Sequence, residues 1–415
     1  MTKSDNENAA FGQPGIHPRW THGGKDGVGT AYAASSQIWF TLWNGIITEV
    51  YYPTVDRPQL RDLQYLISDG KTFFHEEKRH LKSQFERLSD HSLGYLCTNS
   101  DPEGRYSVVK EIIADPHLAC VLQRTRLTGD ESFISKLRLY ALCAPHLEVG
   151  GWGNNGYVAE LNGRKILMAQ KQGTWLALAG TVPFTRVSCG YVGRSDGWTD
   201  LAGNFQMDWQ FDHATDGNIA LTGELAVSGQ REFTLGLAFG DTQHHALTTL
   251  FQALTIPFEV HHKRYTEQWD RTSTHQLPLE KVSSDRGNLY HSSFSLLLAH
   301  EDKSYPGALI ASLSIPWGKP RVTKTKADIT WFGPGTWSAA RPPCLPPARM
   351  RHRCGHLFIL QFLSKKTVVF RRTSGLTGIR AGGESSWTKS RSRYCWPCDS
   401  AERMLFRTLI PIPWS

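Results

Sequence analysis

The sequence is short of cysteine and of long apolar runs, and each shortage excludes something. Eight Cys in 415 residues are too sparse for the disulfide framework of a small secreted scaffold. No run approaches the roughly eighteen apolar residues of a membrane-spanning helix. The opening MTKSDNENAA is polar and has no apolar stretch of the kind a secretory leader carries, which predicts a cytoplasmic protein that engages no membrane. No internal repeat is visible. What is present is a hydrophobic content of 40%, enough for a sizeable core, so a wholly disordered chain is excluded. The length fits two or three domains. Fourteen Trp and thirteen Tyr are many; such rings line sugar-binding surfaces, although core packing is their commoner use.

The net charge of +8 conceals an asymmetry. Pro320 to Ser415 carries 17 Lys and Arg against 4 Asp and Glu, a balance of +13, which leaves −5 for Met1 to Lys319. The same last segment holds four of the eight Cys and nine of the 21 Pro. Such a shift marks either a nucleic-acid-binding arm or a segment that is not a selected protein sequence.

From about Thr30 to Gly240, short runs rich in β-branched, aromatic and Leu residues alternate with turns. Ile38 to Leu42, Ile46 to Tyr52, Leu60 to Ile67, Tyr106 to Ile113, Ala119 to Leu127 and Glu232 to Phe239 are examples. Ser135 to Leu142, Gly156 to Leu161, Lys165 to Gln170 and Trp175 to Val182 follow the same pattern. Ser68-Asp69-Gly70, Thr128-Gly129-Asp130, Leu161-Asn162-Gly163 and Ser228-Gly229 supply the turns, Gly and Asn being suited to positive φ. Many strands without intervening helices predict an antiparallel β-sandwich, with one helical turn at Thr199 to Asn204. At Gly240 the period changes. Ala246, Leu247, Leu250, Phe251 and Leu254 form a helical stripe, and Phe258, His262, Tyr265 and Trp269 a second. After a polar link, Tyr290, Phe294, Leu297 and Leu298 mark a third, and Tyr305 to Gly318 reads as a buried loop or extended segment.

Motifs of chemical interest have plainer readings. Gly151-Trp152-Gly153-Asn154-Asn155-Gly156 fits G-x-G-x-x-G, but a dinucleotide loop must open a helix, and Tyr157 to Ala159 continue as a strand. His244-His245 and His261-His262 are adjacent pairs, whose side chains leave a helix about 100° apart, so neither pair shares a metal-binding face. Cys395-Trp396-Pro397-Cys398, with Cys344, Cys354 and His356, lacks the spacing of a zinc finger. Glu76, Glu77, Asp115 and Asp208 are carboxylates with no evident pairing and are expected as solvated strand residues. No cofactor, metal or catalytic residue is assigned.

A specific resemblance lies in Gly12 to Asp69. Its carriers are Pro18-Arg19-Trp20, Lys25-Asp26-Gly27-Val28-Gly29-Thr30, Glu49-Val50-Tyr51-Tyr52-Pro53 and Arg61-Asp62-Leu63. Gly236-Leu237-Ala238-Phe239-Gly240 and Ala311 to Gly318 (ASLSIPWG) extend it. The chain resembles the N-terminal domain of bacterial glucoamylases and glucodextranases, glycoside hydrolase family 15, over about Gly12 to Gly318. The resemblance implies a mainly β fold: a large antiparallel super-β-sandwich, then linker helices, then only the beginning of an (α/α)6 barrel, with a disordered or non-native C-terminal tail. The corresponding divisions are a disordered N-terminus at 1–11, the sandwich at 12–240, a helical linker at 241–287, the first helix and loop of the barrel at 288–319, and the tail at 320–415. It implies inverting hydrolysis of α-glucosidic bonds at non-reducing ends of an α-glucan or maltooligosaccharide by a monomer, with no nucleic-acid partner. Tyr305, Ser314, Ile315, Pro316, Trp317 and Gly318 are the positions it places at the substrate rim. Trp152, Tyr157, Trp198 and Trp209 are further rings that could touch sugar.

In the family, Ile-Pro-Trp-Gly is soon followed by Gly-Gly-Tyr-His-Leu-Val-Trp-Pro-Arg-Asp, whose Tyr, Trp, Arg and Asp hold the terminal glucose. Thr330 to Trp337 reads TWFGPGTW instead, and no Trp-Glu-Glu, the family's acid motif, occurs anywhere in the chain. Codons built from the third base of one residue and the first two of the next permit GGYHLVWPRDL across Lys326 to Trp337, with the Val forced by Trp331/Phe332. They also permit KDGGFPQNFW across Lys365 to Gly375 and WRGIQLDEV across Ala381 to Ser390, with the Asp forced by Trp387/Thr388. Three ordered matches in one frame predict that the reading frame is lost near Lys319. The chain as written would then be a non-catalytic module that binds carbohydrate or a partner. Sequencing the gene across the codons for Ser314 to Trp337 is expected to show one base added or missing; an unaltered frame would make the basic tail genuine.

Overall fold

The computed structural model describes residues 8–274, 276, 279 and 282–313, with the backbone of 331–332. The sandwich and its helices lie in the compact unit Met1–Trp331. The expected out-of-frame segment, apart from the backbone of 331–332, and the expected disorder at Met1 to Glu7 lie outside the described residues.

The strands begin with β1 (Gly27–Thr30), β2 (Trp39–Trp43), β3 (Ile46–Tyr51), β4 (Leu60–Ser68) and β5 (Phe74–Glu76). A helical turn, α1 (Glu77–His80), precedes β6 (Lys82–Arg87), β7 (Tyr95–Ser100), β8 (Tyr106–Ala114) and β9 (Cys120–Gly129). After α2 (Glu131–Ile134) come β10 (Arg138–Pro145), β11 (Asn154–Leu161), β12 (Arg164–Lys171), β13 (Thr174–Gly180) and β14 (Phe184–Tyr191). Helix α3 (Gly197–Asn204) is followed by β15 (His213–Gly217), β16 (Ile219–Leu225) and β17 (Glu232–Gly240). One sheet has eight strands, running β1-β2-β3-β4-β10-β16-β14 with β5 beside β4. The other has nine, running β15-β11-β12-β13-β17-β9-β8-β7-β6. The strands of both sheets pair antiparallel.

Alternation explains which residues fill the space between the sheets. Leu63, Tyr65 and Ile67 of β4, Leu139, Ala141 and Cys143 of β10, and Phe233, Leu235 and Leu237 of β17 belong to one buried cluster. The intervening Leu66, Tyr140, Leu142 and Ala220 face away and form a separate cluster with Leu201 and Met207. Four free cysteines, Cys97, Cys120, Cys143 and Cys189, are simply buried core residues. The Asn162-Gly163 hairpin has φ of 51° and 74°, the positive pair that a tight turn requires. Among the described residues no helix is long and apolar enough to cross a membrane.

Several elements differ from their sequence-level reading. Asn8 to Phe11 are ordered rather than disordered: Ala10 N–H donates to His213 O at 3.0 Å and Asp212 N–H to Asn8 O at 3.0 Å, so these residues cover the β15 edge. Strand β1 contains two glycines, and at Gly29 a Cβ would lie 2.0 Å from the Phe40 ring, so glycine is what lets Phe40 into the core. Strand β6, KSQFER, is almost wholly exposed; it is a charged edge strand of the kind that discourages edge-to-edge pairing.

Helices α4 (Gln243–Thr255), α5 (Phe258–Ser273) and α6 (Asn288–Ala299) follow the sandwich. Thr242 caps α4 by accepting from His245 N–H, and α4 rests on the sheet at Gly236, where a Cβ would meet Leu250 at 2.9 Å. On α5 the buried stripe is Phe258, His261, Tyr265 and Trp269. His261 takes the place expected for His262 because its ring lies 3.2 Å from the buried Asp115 carboxylate and 2.9 Å from Ala253 O. Tyr265 Oη and Trp269 Nε1 both donate to Thr30 O, tying α5 to β1. Helix α6 buries His291, Ser295, Leu297 and Ala299.

The two sheets are joined through charge as well as through apolar packing. Lys110 of β8 and Glu77 after β5 form an ion pair at 2.5 Å, with side chains 1% and 0% exposed. Glu77 also accepts from Tyr65 N–H at 2.8 Å and from Asn99 Nδ2. Removing one member strands the other's charge, at a cost of about 3–5 kcal/mol. Lys110→Met is therefore expected to lower the urea unfolding free energy by that amount. Glu77→Leu combined with it should cost clearly less than the two single losses added, a positive coupling in a double-mutant cycle.

Candidate functional site

The segment expected at the substrate rim is partly described. Asp302 is buried, and its carboxylate accepts from Val55 N–H, Ser304 N–H and Tyr305 N–H, each at 2.8 Å. Lys303 turns into the sandwich, donating to Thr30 Oγ1 at 2.6 Å and to Ser36 O, with its ammonium 4.8 Å over Trp39. Burial holds its pKa well below the ordinary lysine range. Ile310 and Leu313 pack with Trp39, Tyr51 and Val55, and Tyr51 Oη donates to Leu313 O at 2.7 Å. The loop is thus docked on the β1–β3 edge, and Tyr305 projects from it, 62% exposed. Ser314, Ile315, Pro316, Trp317 and Gly318 lie outside the described residues, as do Cys344, Cys354, His356, Cys395 and Cys398.

The carboxylates expected to be solvated are mostly buried. Glu76, Glu77 and Asp115 are 2%, 0% and 2% exposed, because each is matched by donors that replace water. Asp115 accepts from His117 N–H and Leu118 N–H and faces His261. Asp208 alone of the four is exposed. The glycine-rich run at 151–156 leads into β11, a strand, and opens no helix.

The aromatic candidates separate. Trp152 is exposed and edge-on to His17. Tyr157 stacks on Trp175, and Trp209 packs against Phe11 and Phe211. Trp198 differs, since it walls a cavity of about 450 Å³ on the outer face of the eight-stranded sheet. Arg61 and Gln64 of β4, Leu142 of β10 and Ala220 of β16 form its floor. The strap with Ile16, His17 and Arg19, the stretch Val192 to Asp196 and the turn α1 form its walls. Asp196 caps α3 by accepting from Thr199 N–H at 2.8 Å, which fixes Trp198 two residues after the cap. Trp198 Nε1 donates to Glu76 Oε2 at 3.0 Å, Gln64 Nε2 to Glu76 Oε1 at 3.0 Å, and Arg79 pairs with Glu76 at 3.0 Å. Below them, Asp62 pairs with Arg61 at 3.2 Å and with Lys78 at 2.8 Å. Burial pushes the Asp62 carboxyl up, but these two cations outweigh it and hold the group well below the usual carboxylate range. No sequence motif marked this cavity, although Arg61-Asp62 had been singled out as a carrier of the resemblance.

Residues 10–273 match the family model described as glucodextranase, domain N, and the chain belongs to that family. The glucoamylase of Clostridium sp. (strain G0005) is 34% identical over 313 residues, 75% of this chain and 44% of that protein. The crystal structure of a bacterial glucoamylase complexed with acarbose matches at 35% identity and a TM-score of 0.72, covering 75% of this chain and 46% of the other. The chain thus spans less than half the length of these relatives. It stands in a glycoside hydrolase relationship to them.

His146, beside this floor, carries a pH signature. It is 1% exposed; burial, reinforced by the Arg61 charge, pushes its imidazole down to about 3. The unfolded chain binds that proton at about pH 6.5. The contribution to stability is therefore fully present above pH 6.5 and is lost as pH falls towards 3, by up to about 1.4 kcal/mol per pH unit. Thermal unfolding of His146→Asn across this window is expected to show a shallower acid slope than the parent chain.

Proposed function

We propose that this chain is the N-terminal sandwich and barrel entrance of an exo-acting α-glucosidase of the glucoamylase kind, and that as written it does not hydrolyse glucan. The structural match over 75% of this chain but only 46% of the acarbose-bound relative carries the reading. In this chemistry a carboxylic acid protonates the leaving oxygen, and a second carboxylate activates water from the opposite side. In the inverting form the pair stands roughly 6.5–9.5 Å apart to admit that water. Three of the four carboxylates that the sequence offered are otherwise employed. Glu77 is held by Lys110, Glu76 by Lys78, Arg79, Gln64 and Trp198, and Asp115 by His261 and two backbone N–H groups. The acid and base therefore belong to the barrel, whose first helix and loop we assign to residues 288–319. The substrate is an α-glucan or maltooligosaccharide attacked from its non-reducing end, and Pro320 to Ser415 is translation in a shifted frame.

Incubation with maltotetraose separates the possibilities. The chain as written is expected to release no glucose above the blank. The same gene with its frame restored after the Lys319 codon should release glucose first seen as the β-anomer by polarimetry or NMR. Glucose release by the chain as written, or none by the restored gene product when folded, overturns the reading.

A further inference from the structure

We propose that the cavity walled by Trp198 is a binding pocket for a neutral saccharide, separate from any hydrolytic centre. Most of its charges are already satisfied: Asp62 by Arg61 and Lys78, and Glu76 by Lys78 and Arg79. The Asp196 carboxylate is taken up by the Thr199 and Gly193 N–H groups. Of the lining Lys and Arg side chains only the exposed Arg19 has no acidic partner among the described residues, so an anion would find a single uncompensated positive charge. Three buried polar atoms of residues that line the cavity, Gln64 Oε1, Asn218 Oδ1 and Arg61 Nε, have no hydrogen-bond partner among the described residues. Gln64 is 2% exposed, and its amide is oriented by the bond from Nε2 to Glu76, so its oxygen is the end left over. The residues of the lining therefore hold two acceptors and one donor without protein partners among the described residues.

A hydroxyl group both donates and accepts, and a ligand carrying several suits this mixed set, where an ammonium would serve only the acceptors and a carboxylate only the donor. Apolar groups share the lining with these polar ones: Leu142, Ala220, Val192 and Ile16 line the same cavity as the Trp198 indole. A sugar ring joins hydroxyl edges to C–H faces, the combination that an indole beside polar anchors accommodates. About 450 Å³ is within the range of small-ligand pockets. Arg79 now lies 5.6 Å over the indole, but its side chain is 61% exposed, so it is free to move aside for a ring while Glu76 keeps its other donors.

The choice of an α-glucan as the saccharide rests on the proposed function; the pocket itself does not. Isothermal titration of the full chain with maltose, cellobiose and inorganic phosphate distinguishes the two. Saturable maltose binding is expected, weakened roughly tenfold or more by Trp198→Ala and unchanged by Trp152→Ala, which alters an exposed ring outside the cavity. Val192→Trp fills the cavity from its rim and removes no side-chain hydrogen bond. It should weaken binding as strongly, and it decides the matter if Trp198→Ala unfolds. Cellobiose binding without maltose binding supports the pocket and removes the α-glucan assignment. The pocket proposal is overturned by an absence of saturable binding to either sugar, by binding that both cavity substitutions leave intact, or by phosphate binding in place of sugar.

Discussion

Two sheets with apolar inner faces can slide over one another at little cost, since hydrophobic burial has no direction. The Lys110–Glu77 pair removes that freedom. Both charges are dry, and each has acceptors or donors at fixed positions on the opposite layer or on the β2–β3 turn, where Gly45 O accepts from Lys110 and from Asn99. A shift of register would leave a charge buried without a partner, a penalty far larger than any apolar rearrangement. The arrangement of the outer faces follows from this fixed relation of the two layers.

Glu76 and Glu77 are neighbours with opposite destinations. The chain changes at this point from strand β5 to the turn α1, and successive extended residues point to opposite faces. Glu77 goes inward to Lys110. Glu76 goes outward to the cavity, where it collects Gln64, Lys78, Arg79 and Trp198. The core and the cavity are therefore linked through one peptide bond. A substitution that loosens the ion pair is felt at the indole, and the cavity's polar arrangement has a rigid base.

The strand-rich half and the change of period at Gly240 were legible because alternation and helical spacing are local properties. Three of the strands that escaped notice lack that signal. β1 is half glycine, β6 is a polar edge, and β7, YLCTNS, buries Asn99 where an apolar residue would be expected. His261 in place of His262 shows the same limit at single-residue scale: a helical stripe fixes a face, but a remote carboxylate, Asp115, decided which histidine fills it. The Trp198 cavity left no motif because its parts come from the strap at 16–19, β4, α1, β10, α3 and β16, brought together only by sheet order.

By itself the sequence determined the class of fold, the family resemblance across Gly12 to Gly318 and the mismatch between that resemblance and the residues after Lys319. These follow from composition, periodicity and short motifs, which need no partner distant in the chain. Only the tertiary structure decided which carboxylates are buried, which tryptophan walls a cavity and which polar atoms there have no protein partner. Burial and hydrogen bonding depend on what lies across the sheet, and across the sheet means residues such as Glu77 and Lys110, thirty-three positions apart along the chain.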